Sequence, residues 1–403
     1  MPNQLSRRHF TVLITCLMAT SIGQSLVFAI LPPLGREVNL GELQITSIIA
    51  VSALVFSFAS PRWGRLSDRV GRKPIIITGL LGYTVGTVLF SSVFLAGLKG
   101  ILSGITLYFV LLLARCCQSV IMAATSPSAA AYTADHTTPA QRTGAMAKLG
   151  TANSMGTILG PAVSGLLATI SLLAPLYFAG ILTASAAVIV WRFLPPTPPT
   201  QLGTRKARAK LRYTDPRIVR YLASAIGLFV GFSGIQQTLG FQLQDKLSLT
   251  GIETAQMTGA ALMVSAIFTF AIQVTVMQRL KLKAEQFVRL GLSSALLGAA
   301  FVAGFETFTS LAIGMGFLGA GLGLCMPAIS AGASLAVTPE EQGAAAGMVS
   351  SCPAIGFIVG PISAGFLYQI HGPLAAVFSA TIFSIVLLSL VLIKQKEPGT
   401  LVR

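Results

Sequence analysis

The side chains best suited to chemistry in this sequence are crowded into residues 64–74. Asp68 stands there among four basic residues, one of which is Arg72, with apolar stretches on both sides. An aspartate so placed can accept hydrogen bonds from the unpaired amides that begin a helix, where the helix dipole favours an anion. Gly64 and Gly71 permit sharp turns. Because such a charge cluster cannot lie in hydrocarbon, we expect a tight loop at a membrane surface.

A second charged group lies inside an apolar stretch. Arg115 follows Leu111-Leu112-Leu113-Ala114 and precedes Gln118 by three residues. A cation near the middle of a bilayer is costly and is normally functional, so we predict a direct role in handling substrate or protons. The alternative is an arginine that only donates hydrogen bonds to carbonyl groups of a neighbouring helix.

The sequence contains few residues in the patterns that catalytic sites require. Ser233 lies in Gly-Phe-Ser-Gly, which matches the short G-x-S-G of intramembrane serine proteases, but that chemistry needs a histidine base within reach. The three histidines lie at the N-terminus or in predicted loops: His9, His136 and His371. The five cysteines lie in apolar stretches without the spacing of metal ligands. We therefore predict a protein that is not an enzyme, with no cofactor and no metal.

The elements that position these groups must be membrane-spanning helices. Only 10% of the residues are charged, whereas soluble domains average about 25%. Mean hydropathy is +0.77. A span needs about 20 apolar residues. We predict an all-α membrane protein with twelve spans, at 10–32, 45–62, 75–98, 104–134, 143–168, 175–194, 218–244, 253–278, 286–304, 309–337, 343–368 and 373–393.

The lysines and arginines are concentrated in the segments predicted to lie on one side of the membrane. With the N-terminus inside, 24 of the 28 lysines and arginines fall in cytoplasmic segments. The other four are Arg36, Lys99, Arg115 and Lys246. This follows the positive-inside rule and predicts a multi-pass protein of the inner (plasma) membrane with both termini cytoplasmic. It also argues against a nucleic-acid partner, although the net charge is +16.

An internal repeat divides the chain. Residues 127–167 align with 327–367 at a constant offset of 200, pairing Thr138-Pro139 with Thr338-Pro339 and Gly160-Pro161 with Gly360-Pro361. We predict an N-terminal six-helix half (1–194), a basic, proline-rich cytoplasmic linker (195–217) and a C-terminal six-helix half (218–403). The basic residues of the linker either contact anionic membrane lipid or serve only to retain the segment in the cytoplasm. The charged positions are not repeated, so we expect a mostly neutral C-terminal half.

The charged segment resembles the G-x-L-x-D-R-x-G-R-K loop of the major facilitator superfamily. The resemblance implies two six-helix halves that rock about a central cavity. It also implies that Asp68 caps the eleventh helix near Gly343 and that Arg72 pairs with Asp135, closing the cytoplasmic side of the outward-facing state. The residues assigned to this gate are Gly64, Asp68, Arg69, Gly71, Arg72, Asp135 and Arg142.

Two further segments resemble that family. Arg115 and Gln118 match the R-x-x-Q of its fourth helix. Gly156, Gly160, Pro161 and Gly165 match the G-x-x-x-G-P-x-x-G-G of its antiporter branch, with Ser164 in place of one glycine. In relatives this element separates exporters from importers, so the resemblance implies export. The alternative is generic close packing of helices, which the repeated Gly356 and Gly360 favour.

Polar residues of several spans are candidates for a central substrate cavity. They are Thr20, Gln24, Arg115, Gln118, Asn153, Gln236 and Gln237. Each one alone could serve only as a hydrogen bond between helices. Together, they predict a midplane site lined by amides, hydroxyls and one cation.

The acidic residues suggest which substrates fit. All 12 lie in predicted loops or at helix ends, and Thr20 stands where many drug antiporters of this family place a carboxylate. A buried cationic substrate would then lack a partner. We expect a monomeric secondary transporter that exports a small polar or anionic molecule (siderophore, metabolite or drug), with protons as the coupling ion. The alternatives are multidrug efflux of lipophilic cations, a uniporter or importer of a small solute, and an intramembrane serine hydrolase.

Overall fold

The computed structural model describes residues 7–196, 211–280, 282–338 and 341–392. Within these ranges the chain is helical and contains no strand. The N-terminal half comprises α1 (Arg7–Glu37), α2 (Glu42–Val70), α3 (Arg72–Leu98), α4 (Gly104–Met122), α5 (Thr125–Asp135), α6 (Pro139–Ala168) and α7 (Ala174–Phe193). The C-terminal half comprises α8 (Val219–Leu247), α9 (Gly251–Arg279), α10 (Ala284–Ala303), α11 (Phe308–Leu335), α12 (Gln342–Ile370) and α13 (Leu374–Leu392). Most of the predicted linker lies outside the described residues.

The helices are built to face lipid. In the described part of the chain, eleven spans are long and apolar enough to cross a membrane, with α4 and α5 counted as one. The twelfth predicted span, the fifth in chain order, corresponds to α6, which is a helix of 30 residues but is not among those eleven. Large apolar side chains point outward, such as Leu166 (71% exposed) and Val85 (66% exposed). Exposed apolar surface on this scale suits a hydrocarbon environment rather than water.

One predicted span is interrupted. The predicted fourth span, 104–134, forms α4 and α5, which are separated at Ala123 and Ala124. Pro127 lies in the first turn of α5 and has no amide hydrogen to donate to the carbonyl group of Ala123. The break therefore has a local cause, and the two helices remain parts of a single span.

Two helix ends differ from the sequence expectation. α1 continues through Pro32 and Pro33 to Glu37, since the fixed φ angle of proline lies within the helical range. The segment 64–74 is not an extended loop: α2 runs to Val70 and α3 begins at Arg72, so Gly71 is the one non-helical residue between them. Gly71 has a φ of 103°, which glycine adopts readily.

The helix ends form two faces of the molecule. We call the face that carries Gly71 and residues 136–138, 194–196, 211–218, 280 and 282–283 the basic face. The opposite face carries residues 38–41, 99–103, 248–250, 304–307 and 371–373. At the centre, α1 packs on α6 and α7 of its own half and on α8 and α9 of the other half. The two halves also meet through α2 with α12 and through α6 with α9.

Candidate functional site

Arg72 is the centre of a charged cluster on the basic face. Its side chain is buried, and Nη1 lies 2.5 Å from Oδ1 of Asp68. Nε donates to Oδ2 of Asp135 at 2.9 Å, and Nη1 donates to Oγ of Ser67 at 2.7 Å. One guanidinium thus ties α2, α3 and α5 together at the point where the backbone turns through Gly71. We call Ser67, Asp68, Arg72 and Asp135 the Arg72 cluster.

The remaining residues of the expected gate are placed differently. Gly64 lies within α2 and forms no turn, and a Cβ there would make only an ordinary contact with Pro127 of α5, at 3.8 Å. Arg69 is exposed. Asp68 is paired with Arg72 of its own half, while a Cβ on Gly343 at the start of α12 would meet no atom within 4 Å. The side chain of Arg142 lies outside the described residues.

Among the described residues, close contacts between the two halves lie toward the opposite face. Close contacts between the halves pair Pro32 with Gly240, Glu37 with Gly251, Thr46 with Gly365 and Gly165 with Gln256. At the basic end of α6 and α12, Gly144, Gly150, Gly343 and Gly347 front space with no atom within 4 Å of an added Cβ. Among the described residues, these contacts between the halves therefore lie toward the opposite face, and the four glycines at the basic end are uncovered.

Arg115 is held within the N-terminal half. Its Nη1 donates to Oε1 of Gln118 at 2.6 Å, and its guanidinium lies 5.6 Å from the ring centroid of Phe90. Gln118 in turn donates to Oγ1 of Thr87 at 2.6 Å and to the carbonyl oxygen of Tyr83 at 3.3 Å. The side chain of Arg115 is 3% exposed, and no carboxylate in the described ranges forms an ion pair with it. It is a buried cation whose neighbours are neutral.

The candidates on α1 and α6 form a separate group. Asn153 is exposed, and its Oδ1 accepts a hydrogen bond from Oγ of Ser21 on α1. Thr20 donates to the carbonyl oxygen of Leu17 at 2.9 Å, within its own helix, and Gln24 is partly buried. The structure thus brings Asn153 to α1 beside the residues predicted to face the cavity.

The candidates on α8 are buried with incomplete hydrogen bonding. Gln236 is 5% exposed and Gln237 is 2% exposed. Among the described residues, Oε1 of Gln236 and Nε2 of Gln237 have no hydrogen-bond partner. A buried amide without a partner is costly, so these two groups offer one acceptor and one donor to a ligand or to water.

The glycines of the α6 motif make close contacts with α1. A Cβ on Gly156 would lie 2.7 Å from the carbonyl oxygen of Met18, and one on Gly160 would overlap Oγ of Ser25. Gly165 instead faces α9 of the other half, where a Cβ would lie 3.2 Å from the carbonyl oxygen of Gln256. Pro161 also contacts α9, at Gly259. The motif is therefore a packing surface on α6 that contacts α1 of its own half and α9 of the other half.

Comparison with known proteins now decides the family. A model of the Major Facilitator Superfamily matches residues 13–305 and 286–402. The chain belongs to the major facilitator superfamily. The resemblance seen in residues 64–74 is thereby confirmed, and so is an all-helical membrane fold. The chain is a multi-pass membrane transporter and not an enzyme.

Relatives and solved structures of this transporter cover nearly its whole length. It is 26% identical over 369 residues to multidrug resistance protein 1 of Bacillus subtilis, covering 89% of this chain and 90% of that one. It is 27% identical over 382 residues to the class B tetracycline resistance protein of Escherichia coli, covering 90% and 89%. The crystal structure of the human organic anion transporter MFSD10 aligns with a TM-score of 0.65 and 20% identity, covering 95% and 99%.

Ser233 of the transporter has a packing role. Its Oγ donates to the carbonyl oxygen of Gly356 at 2.8 Å. In the other half, Oγ of Ser25 donates to the carbonyl oxygen of Gly156 at 3.2 Å, which is the same arrangement. Each half thus packs a glycine motif on a serine of its first helix. The repeat identified the glycines but not the serines, which lie 208 positions apart and outside the ungapped alignment.

The C-terminal half is more charged at the basic face than the sequence suggested. Arg217 donates to Oδ2 of Asp215 at 2.9 Å and to both oxygens of Glu341 at 2.9 and 3.0 Å. These hydrogen bonds hold the pKa of the Asp215 and Glu341 carboxyl groups below their ordinary values and raise the pKa of Arg217. Arg217 precedes α8 and Glu341 precedes α12, so only folding brings them together.

A second charged group joins three helices of this half. Glu285 of α10 lies 2.5 Å from Nη2 of Arg289 and 3.7 Å from Nη1 of Arg220 on α8. Arg289 also donates to the carbonyl oxygen of Leu390 on α13, at 2.7 Å. The expectation of a mostly neutral half was wrong because it counted only positions that match the N-terminal repeat.

Proposed function

We propose that this transporter exports a small polar or anionic molecule from the cytoplasm in exchange for protons, by alternating access. The observation that carries the proposal is the asymmetry between the faces. Among the described residues, the close contacts between the halves lie toward the opposite face and glycines at the basic end of α6 and α12 are uncovered, as expected for one of the two states that alternating access requires. The positive-inside rule assigns the basic face to the cytoplasm, with both termini cytoplasmic in the inner (plasma) membrane.

Arg115 supports a polar or anionic substrate. A buried guanidinium without a carboxylate partner is costly, and an anionic or hydrogen-bond-accepting ligand would offset part of that cost. The described acidic residues lie in loops or near helix ends and do not supply a midplane counterion for a cation. Arg115 is covered by α3 of its own half, so we propose that α3 shifts relative to α4 during the transport cycle and exposes the guanidinium to substrate.

The partners of the substrate differ between the halves. Arg115 and Gln118 supply a cation and an amide in the N-terminal half. Gln236 and Gln237 supply an unpartnered acceptor and an unpartnered donor in the C-terminal half. A ligand that carries both donors and acceptors around an acidic group would satisfy both sets, and we propose these residues as its contacts.

The names of the relatives support export and favour a second candidate, multidrug efflux. The Bacillus relative is a multidrug resistance protein, and another relative, from Staphylococcus aureus, is a quinolone resistance protein. Efflux of lipophilic cations would need a carboxylate that reaches the cavity. The buried cation Arg115 argues against efflux of lipophilic cations. Tetracyclines and quinolones carry acidic groups, so they are compatible with a cavity that contains Arg115.

Proton flux in proteoliposomes tests the proposal. The purified transporter would be reconstituted with an imposed pH gradient and a pH-sensitive dye inside the vesicles. Tetracycline, a quinolone, an acidic metabolite, a neutral siderophore and a quaternary ammonium dye would each be added. We expect proton movement with one or more of the polar or acidic compounds and none with the quaternary ammonium dye. Movement with the dye alone would establish cation efflux instead, and substrate uptake without proton movement would establish a uniporter.

Matched variants test the role of Arg115. Arg115→Gln should reduce transport of an acidic substrate by about 10- to 100-fold, the range expected for losing a hydrogen bond to a charged group. Arg115→Lys should retain part of the activity because it keeps the charge. Lys99→Gln, which neutralises an exposed loop residue, is the control and should leave transport unchanged. Equal loss of transport for acidic and neutral compounds in Arg115→Gln would contradict the proposed role.

A further inference from the structure

One ion pair joins the two halves among the described residues, and it lies on the opposite face. Arg36, at the end of α1, binds Asp245, at the end of α8. The other ion pairs of the described residues lie within a single half. Opening the molecule toward the opposite face must therefore separate Arg36 from Asp245.

The carboxylate of Asp245 is held from both halves. Both terminal nitrogens of the Arg36 guanidinium donate to it, Nη2 to Oδ2 at 2.9 Å. The hydroxyl of Tyr368 on α12 donates to the same Oδ2 at 2.6 Å. These three charge-assisted hydrogen bonds require an ionised carboxylate, because a protonated one loses acceptor capacity.

Arg36 also has a partner that stays with it. Its Nη2 lies 2.7 Å from Oε1 of Glu42, at the start of α2 in the same half. Its guanidinium stacks over the ring of Phe241, 5.0 Å from the centroid. When the halves separate, Arg36 therefore keeps a counterion, whereas Asp245 keeps only the hydroxyl of Tyr368.

The carboxylate is reachable from water. The side chain of Asp245 is 49% exposed and lines a cleft of about 400 Å³ on the opposite face. The titratable and charged groups that face it there are Arg36, Glu42, Lys246, Tyr368 and His371. Lys246 donates to the carbonyl oxygens of Ala303 and Phe305, both at 3.0 Å, so its ammonium is held by the α10–α11 loop.

We propose that Asp245 is a proton-binding site whose protonation from the opposite face releases the Arg36 ion pair and admits the state open to that face. The inference rests on the proposed function and names the coupling site. The direction of the pH effect follows from linkage. Because Arg36 stabilises the ionised form of Asp245 only while the halves are together, the state open to the opposite face binds the proton more tightly. Acid on the opposite face thus shifts the population toward the open state.

Distance measurement between the two halves tests the site without a substrate. Spin labels at Ile101→Cys and Thr309→Cys lie on exposed positions of the opposite face, one in each half. Cys116 and Cys117 would be replaced by alanine to prevent extra labelling. We expect one short distance at pH 7.5 and a second, longer population at pH 5. Asp245→Asn should show the longer population at both pH values, with the open-to-closed ratio raised about tenfold or more.

Three variants separate this role from a general loss of structure. Arg36→Gln removes the other partner and should also populate the long distance at pH 7.5. Asp245→Glu keeps the charge and should restore the pH response. Glu253→Gln is the matched control, because Glu253 is an acid of the same face that bonds to Thr250 of its own helix end, and it should behave as wild type.

Two results would overturn the proposal: an Asp245→Asn distance distribution that matches wild type at pH 7.5, or a pH response that persists in Asp245→Asn. The outcome is separable from that of the proposed function. Proton-coupled transport with no role for Asp245 would place the proton elsewhere and leave antiport intact. A distance shift without proton-coupled transport would retain the site and refute antiport.

Discussion

Replacing Gly160 by alanine probes the packing of α6 on α1. The added Cβ would overlap Oγ of Ser25 and stand 2.8 Å from the carbonyl oxygen of Ile22. The serine can rotate, but the carbonyl group belongs to the backbone of a buried helix and cannot move without shifting α1. Gly150 lies in the same helix, where an added Cβ would meet no atom within 4 Å. The same substitution thus meets opposite surroundings within one helix.

The magnitude follows from two opposing contributions. Alanine in place of glycine stabilises a helix interior by about 0.5–1 kcal/mol. Overpacking a closely packed interface costs about 1–3 kcal/mol. Gly160→Ala should therefore lower the free energy of unfolding by about 1–2 kcal/mol, whereas Gly150→Ala should leave it unchanged or raise it slightly. The contrast should appear as several degrees in Tm, since 1 kcal/mol corresponds to about 2–4 °C in domains of intermediate size.

Intrinsic fluorescence during heating in detergent measures this contrast. The protein has two tryptophans, Trp63 and Trp191, and both lie in the N-terminal half, which contains the altered interface. Ser25→Ala combined with Gly160→Ala should recover part of the loss, because it removes the overlapping hydroxyl without placing a glycine inside α1 and leaves the Ile22 carbonyl group in place. Equal Tm values for Gly160→Ala and Gly150→Ala, or no recovery in the double variant, would refute the packing argument.

Two further predictions concern the basic face. Arg72→Gln leaves the two carboxylates of the Arg72 cluster without their shared guanidinium. Because these carboxylates are about one-third exposed, we expect the free energy of unfolding to fall by about 2 kcal/mol, a value between those of surface and buried ion pairs. Arg72→Lys keeps the charge and should lose less. Melting curves check this, and equal Tm values for both variants would contradict it. The lowered pKa of Glu341 and Asp215 means that their stabilising effect is present above about pH 4 and lost as the pH falls through the folded pKa. Arg217→Gln should flatten this acid-side loss in a Tm series from pH 3 to 6, and an unchanged slope would show that other groups set it.

Much of the architecture was predictable from hydropathy and charge. A bilayer requires long apolar helices with internally satisfied backbones, so their number and order can be recognised without tertiary information. Helix ends were harder to predict: α1 passes through Pro32 and Pro33, and α2 continues to Val70. Proline in the first case and charge in the second suggested the end of a helix, but a helix that includes both prolines and a one-residue turn at Gly71 satisfy the same sequence.

The candidate residues were recognisable by type, but their partners were not. Arg115 and Gln118 are three apart on one helix, and the structure joins them. Arg36 and Asp245 are 209 residues apart, and no local pattern connects them. The pairing that holds the halves together therefore could not be read from spacing.

The sequence by itself determined the membrane-spanning fold, the internal repeat and the residues able to carry charge, because hydrocarbon imposes a length on each helix and a cost on each buried charge. The tertiary structure decided which face is closed, that Arg115 is covered by α3, and that the ion pair between the halves joins Arg36 to Asp245. These are properties of surfaces brought together by the packing of two halves. Their relative position depends on small differences in interaction energy between distant helices, which no segment of the sequence contains alone.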